Sequence, residues 1–382
     1  MSGKRLGLVM ALSVLALAGA ALVVVLTLAL LRSQTASALD EAVSEATEGH
    51  RFELLRFEFT HLPNRLLTEI ARWFDDREED EDAALERWFS SRREPDRKAA
   101  ERALEGAIAR SASALGLDSP LPLFGDVSLQ WPPVDVDLGE TLRVLAVSPR
   151  SEVRLVRTVL LGSDIEADEF ERLEAVVEAD GEWSAWVTTI GGVALYPAPV
   201  VSSRDYLRTL QIMAHEWTHH YLGFYPLGLS YARGPEMRTI NETVADIVGD
   251  ELGAAAALTI ESEAELPIAD NPEREAILAR TDPILRSLRL EVDELLAQGE
   301  VEEAERRMES ARRELIDAGR PFRKINQAFL AFRGGYGASA SSASQWGPRL
   351  FALREASESL AHFLEQVRGI GSPEEANRVL PR

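Results

Sequence analysis

The longest apolar stretch of the chain begins at Leu6 and ends at Leu31, with no charged residue inside it. As a helix it is long enough to cross a bilayer with some tilt. Lys4 and Arg5 precede it, Arg32 follows, and the chain then turns acidic. The positive-inside bias therefore expects a cytoplasmic N-terminus and a body on the extracytoplasmic side of the membrane. Ala36-Ser37-Ala38 has the small-residue form of a signal-peptide cleavage site, which is the competing reading. The run is long for a signal-peptide core, which favours an uncleaved single-pass anchor.

Helical spacing follows. Phe52, Leu55, Phe57, Leu62, Leu66, Ile70 and Phe74 recur at roughly helical intervals, and residues 97–114 form a second amphipathic stretch that ends near Gly116. Between them, DDREEDED at 75–82 reads as a solvated acidic surface. Residues 120–201 change character. Pro120, Pro122, Pro132 and Pro133 punctuate the segment, and residues 141–147 (TLRVLAV), 153–161 (VRLVRTVLL), 183–190 and 193–201 are strand-like. Gly191-Gly192 marks a turn or bulge between the last two. These strands predict a small mixed β-sheet.

Leu207, Leu210, Ile212, Met213, Trp217 and Leu222 then give a helix its buried faces. Ser202 is its expected cap, Asp205 completes a capping box and Gly223 ends it. A second helix runs over about 240–252 and is closed by Gly253. The linker between them holds Gly223, Pro226, Gly228, Gly234 and Pro235, long enough to turn one helix onto the other. Beyond an acidic loop at 261–271, residues 273–298 and 301–318 predict a charged helical hairpin, 321–332 continues helically, 334–347 (GGYGASASSASQWG) reads as a flexible low-complexity loop, and 349–367 is a last amphipathic helix.

The expected fold class is mainly α with a small mixed β-sheet (α+β). The expected parts are a membrane anchor (1–32), a helical membrane-proximal region (33–119), a catalytic core (120–262) and a C-terminal helical region (263–382).

Composition narrows the functional classes. The chain has 382 residues, 46% of them hydrophobic, enough for a sizeable core. With 63 Asp and Glu against 41 Lys and Arg the formal charge is -22, which repels a nucleic-acid backbone, and no basic stripe offsets it. Cysteine is absent, which excludes disulfides and thiolate catalysis.

The chemistry concentrates between His215 and Asp246. His215-Glu216-Trp217-Thr218-His219 is an H-E-x-x-H motif, whose histidines share one helix face and can offer imidazoles to one cation. Zinc accepts such ligands in a tetrahedral shell with one position left for water. Glu216 beside that face can take a proton from the water and return it to a leaving amine. Glu242, on the next helix, is the best third ligand, and Asp246 one turn on can fix the tautomer of a ligating histidine. Thr239 to Glu242 also spells a capping box, which would give Glu242 a purely structural task. His220 points off the ligand face, and His50, His61 and His362 have no partner at ligand spacing.

HEWTH followed by NETVAD (Asn241 to Asp246) resembles the gluzincin metallopeptidases, the thermolysin-like clan. The resemblance implies a zincin-like core holding one Zn2+ on His215, His219 and Glu242, with Glu216 as general base. It makes Asp246 and Asn241 outer support for the ligands. It also makes 191–196 (GGVALY), starting at Gly191 and Gly192, a candidate strand for an extended peptide substrate, an ordinary hairpin being the alternative. A tyrosine commonly stabilises the oxyanion in that clan. Tyr336 is the first candidate here, with Tyr196, Tyr206 and Tyr231 open. Asn326-Gln327-Ala328 followed by Tyr336 loosely resembles bacterial predicted zinc aminopeptidases, which would bind a substrate ammonium with a carboxylate such as Asp180 or Glu182.

The sequence thus predicts a membrane-anchored zinc peptidase. It acts on a peptide or protein substrate, contacts the lipid bilayer through the Leu6 to Leu31 run and does not bind nucleic acid. The alternatives are a non-catalytic zinc-binding surface protein and a zinc-dependent amidohydrolase.

Overall fold

A computed structural model describes residues 38–52, 81–121, 124–129, 132–140, 142–202, 205–260 and 272–381. The expected helical run through Phe57 to Phe74 and the acidic loop at 261–271 lie outside them. In chain order come α1 (Ala38–Ala46), α2 (Glu81–Ser91), α3 (Glu94–Ala114), the hairpin β1 (Ser119–Leu121) and β2 (Phe124–Leu129), β3 (Val136–Gly139), β4 (Arg143–Pro149), β5 (Arg157–Leu161), α4 (Ala167–Glu178), β6 (Trp183–Thr189) and β7 (Ala198–Val201). The central helices are α5 (Tyr206–Leu222), the short α6 (Pro226–Leu229), a 3-10 turn (Tyr231–Arg233) and α7 (Pro235–Ala257). Then follow α8 (Pro272–Ala297), α9 (Val301–Asp317), α10 (Gln327–Arg333), α11 (Trp346–Ala356), α12 (Leu360–Val367) and α13 (Pro373–Val379).

Helices dominate, as expected, but the single mixed sheet is not what forms. The strands make three separate small sheets: antiparallel β1–β2, parallel β3–β7, and antiparallel β5–β4–β6. Two edges are closed by helix side chains. On α3, Glu105 accepts the Val136 N–H and Glu101 accepts the Leu138 N–H, each at 3.0 Å. On α4, Glu178 accepts the Ala185 N–H at 2.9 Å and Glu174 the Val187 N–H at 2.7 Å. Four residues of helix rise about 6 Å and two residues of strand about 6.7 Å, so glutamates one turn apart reach alternate N–H groups of a strand. β3 and β6 therefore have no free edge on which a wider sheet could grow.

The membrane architecture is corrected. Among the described residues no helix is long and apolar enough to cross a membrane. The long helices are interrupted by charge: α7 carries Glu236, Arg238, Glu242, Asp246, Asp250 and Glu251, and α8 is charged at nearly every turn. The single-pass, extracytoplasmic arrangement and the bilayer contact are not borne out, and the Leu6 to Leu31 run on which they rested lies outside the described residues.

The largest core joins α2, α3, β3, β7, α5, α7, α11 and α12 around Trp217, Leu210, Val244 and Phe363. A second core packs Trp186 of β6 against the α8–α9 hairpin and Phe329 of α10, and a third places α1 and α4 over the other face of β4, β5 and β6.

Glycine sets how closely α5 and α7 approach. A Cβ on Gly253 would lie 2.6 Å from Gln211 Cα, and one on Gly249 3.1 Å from His215 Cβ. Gly253 is thus a contact within α7 and not its end. The helix starts five residues before the expected boundary, with Pro235 in its first turn, where a missing N–H costs nothing. The Thr239 capping box is consequently mid-helix, and the Thr239 hydroxyl donates to Pro235 O instead. Asp205, and not Ser202, caps α5 by accepting the Arg208 N–H, while the Ser202 hydroxyl accepts from Trp88 Nε1 at 2.9 Å.

Candidate metal centre

α5 buries Leu210, Met213, Ala214 and Trp217 against the main core, and Trp217 Nε1 donates to Pro132 O at 2.8 Å. That anchoring turns His215 and His219 towards α7, whose Asn241, Glu242 and Asp246 face them. The two Nε2 atoms are 3.1 Å apart, and Glu242 Oε2 lies 3.4 Å from one and 3.5 Å from the other. A tetrahedral ion with bonds of 2.0–2.1 Å needs donors about 3.3 Å apart. The three donors meet that spacing, and the group can hold a metal ion.

The outer contacts argue the same way. His215 Nδ1 is 3.1 Å from Asp246 Oδ1, and His219 Nδ1 is 2.8 Å from Asn241 Oδ1. Each oxygen accepts, so each Nδ1 carries the hydrogen, and each Nε2 offers a lone pair once its imidazole is neutral. Two lone pairs and a carboxylate oxygen then converge on one point, an arrangement that calls for a cation. The Tyr231 hydroxyl donates to Glu242 Oε1 at 2.5 Å, leaving Oε2 for the ion.

Electrostatics follow from burial and charge. Burial would lower the His215 pKa, but the hydrogen bonds to Asp246 and Glu242 outweigh it and hold the group well above its ordinary value. Burial would raise Glu242, yet the imidazoles of His219 and His215 hold it well below the carboxylate range. Glu216 is raised by burial, which the nearby histidines only partly offset. Tyr231 and Tyr336 are pushed well above the phenol range, by burial first and then by the charge of Glu242, so both hydroxyls stay protonated.

Gly192 lies against Glu216: a Cβ there would be 2.5 Å from Glu216 Oε1. Gly191 packs on Ile212. The expected strand over 191–196 is reduced to one bridge, Gly192 opposite Val200, and β6 and β7 belong to different sheets, so it is not a hairpin either. The Val193 N–H donates to Pro199 O and the Val201 N–H to Gly191 O. These two bonds flank Gly192, so its own N–H and C=O point away from β7.

Tyr336 reaches the site, its ring 6.5 Å from that of His215. The glycine-serine stretch that carries it is not a loose loop. Its turns are tied to α7 by the Gly337 N–H, which donates to Thr243 Oγ1 at 3.1 Å, and the Ser342 hydroxyl donates to Gly334 O.

Other candidates stay apart. Asp180 accepts the Glu182 N–H in the turn before β6, while the site lies beyond the far end of that strand. The Tyr206 hydroxyl donates to Ala257 O. Tyr196 packs on His220, whose pKa burial lowers to about 4. Asn326 caps α10, and Gln327 donates to Arg150 O. Tyr231 was one of three tyrosines left open beside Tyr336; only its short bond to Glu242 singles it out, and no local pattern in a Gly/Pro-rich linker announces that. No protein family, curated protein or solved structure matches the chain significantly.

Proposed function

We propose that the chain is a zinc-dependent peptidase that works as the gluzincins it resembles do. The observation that carries this reading is the donor set of His215, His219 and Glu242 at tetrahedral spacing with the buried carboxylate of Glu216 beside it. A purely structural zinc site has no use for that additional acid. Bound there, zinc supplies Lewis acidity and acidifies a water molecule.

The chain's own residues do the rest. Asp246 and Asn241 hold the imidazoles in the ligating tautomer. An extended peptide pairs with the outward N–H and C=O of Gly192, which sets its scissile carbonyl next to Glu216. Glu216 accepts the proton of the attacking water and passes it to the leaving amine. Its raised pKa suits the second transfer. Tyr336, neutral at physiological pH, donates to the carbonyl oxygen as it gains charge.

The test is Glu216→Gln, which keeps size and hydrogen-bonding reach but removes the base. Metal content should stay that of the parent, while hydrolysis of a peptide library falls by roughly 10²–10⁴-fold. Equal turnover by both proteins would sink the reading. Parent protein that binds zinc but cleaves no peptide, while hydrolysing small amides, would shift the substrate class.

A further inference from the structure

Tyr336 stands on a backbone that its neighbours in sequence cannot fix. Gly334, Gly335 and Gly337 surround it, and serines and alanines follow as far as Ser344. Short turns form within the stretch: the Tyr336 N–H donates to Arg333 O at 3.2 Å and the Ser339 N–H to Tyr336 O at 2.9 Å. Glycine loses more conformational freedom on ordering than any other residue, so such turns do not by themselves hold a side chain in one place. An oxyanion donor, however, has to be in place before charge develops on the substrate.

The fixed point comes from α7. Thr243 directly follows Glu242 and is completely buried. Its hydroxyl donates to Thr239 O, one turn back, at 2.6 Å. That bond uses the only hydrogen and leaves the lone pairs of Oγ1 free to accept. The Gly337 N–H donates to Oγ1 at 3.1 Å. Among the described residues it is the one hydrogen bond that joins residues 334–347 to α7.

Packing closes the other side. A Cβ on Gly337 would overlap Thr243 Oγ1 and lie 2.9 Å from Gly347 Cα, and a Cβ on Gly347 would overlap Gly337 O. Gly347 belongs to α11, whose Trp346 is buried in the main core. The residue after Tyr336 is thus held between two helices, one of which also carries Glu242. The Tyr336 ring lies 6.5 Å from that of His215.

We infer that Thr243 is a positioning residue: through the Gly337 N–H its hydroxyl sets Tyr336 at the metal centre before substrate arrives. The inference rests on the proposed peptidase reading and adds a residue that acts on the reaction only through Tyr336. Because α7 supplies both Glu242 and the peg for Tyr336, metal ligand and oxyanion donor share one frame, and no closing loop is needed to bring them together.

The experiment uses the full chain with zinc. Thr243→Val keeps the β-branched shape that the helix already accommodates and removes the acceptor. It should lower kcat by roughly 10–100-fold, the usual effect of a small misplacement of a reacting group, with KM and zinc affinity unchanged. Thr243→Ser keeps the hydroxyl and should recover most of the loss. In the Tyr336→Phe background Thr243→Val should cost nothing further, because the residue it positions has already lost its hydroxyl. Hydrogen exchange gives a readout without turnover: the Gly337 amide should exchange faster in Thr243→Val and as in the parent in Thr243→Ser. An equal loss in both backgrounds, a fall in zinc affinity that tracks kcat, or an unchanged Gly337 amide in Thr243→Val overturns the inference. A parent that binds zinc and cleaves no peptide would fail the peptidase reading alone, and the exchange measurement would still decide whether Thr243 holds the turn.

Discussion

Gly253→Ala tests whether α5 and α7 are held at the distance the metal centre needs. The added Cβ would lie 2.6 Å from Gln211 Cα and 2.7 Å from Gln211 N, both backbone atoms of a helix. Carbon atoms in contact sit 3.5–4.0 Å apart, so the helices must separate locally by roughly 1 Å. Overpacking of this kind costs about 1–3 kcal/mol, and backbone atoms that cannot rotate away put this case at about 3 kcal/mol. Helix propensity acts oppositely, since alanine is favoured over glycine by about 1 kcal/mol within a helix. The net expectation is a loss of about 2 kcal/mol, read as a lower urea midpoint at unchanged m-value. Metal binding should weaken too. α5 supplies two ligands and α7 the third, and a shift of a few tenths of an ångström exceeds the tolerance of a metal–ligand bond, so a roughly tenfold loss is expected. Isothermal titration with zinc measures it. A variant more stable than the parent with the same affinity would mean that propensity alone governs the site and that the helices do not meet at Gly253.

Asp246→Ala frees the His215 tautomer and should weaken zinc binding by about 10–100-fold, measured by competition with a chelator; unchanged affinity would remove Asp246 from the centre. Because Asp246 and Glu242 hold the His215 pKa well above its ordinary value, the metal-free protein keeps a proton there at neutral pH that zinc must displace. Titration at pH 7 in buffers of different ionisation heat should therefore report release of about one proton, and affinity should fall as pH is lowered; pH-independent binding would contradict this. Tyr336→Phe should lower kcat by roughly 10²-fold at equal zinc content and similar KM, and a drop shared equally by Tyr231→Phe would leave the oxyanion donor unassigned between them.

The residues of the candidate metal group were legible because their geometry is local. Positions 215 and 219 share a face of any helix, and an Asn-Glu pair with an Asp four residues after the Glu shares the next. Contacts between distant segments were not. Gly253 at an apparent helix end and Gly253 in a helix–helix contact look identical along the chain, and only Gln211, forty-odd residues earlier, distinguishes them. The glycine-serine stretch reads as loose until Thr243 is seen to hold Gly337. Strands β4, β5 and β6 followed their β-branched patterns, but the separation of their sheet from β3 and β7 goes with glutamates of α3 and α4 that read as surface charge. The membrane reading rested on the Leu6 to Leu31 run alone, which lies outside the described residues, and among those residues no helix is long and apolar enough to cross a membrane.

Those glutamates also carry information. A hydrophobic contact between helix and strand tolerates sliding, because one apolar side chain can replace another. Carboxylates one turn apart that each accept a specific N–H do not. Moving β3 or β6 by one residue would turn those N–H groups to the opposite edge and break both bonds of each pair. Each pair therefore works as a two-pin key, fixing the phase of a helix against a strand in a fold whose sheets are too small to fix their own. α3 is keyed in this way to β3, and through β7 to Gly192, so the placement of Gly192 beside Glu216 depends on two acids well removed in sequence from His215, His219 and Glu242.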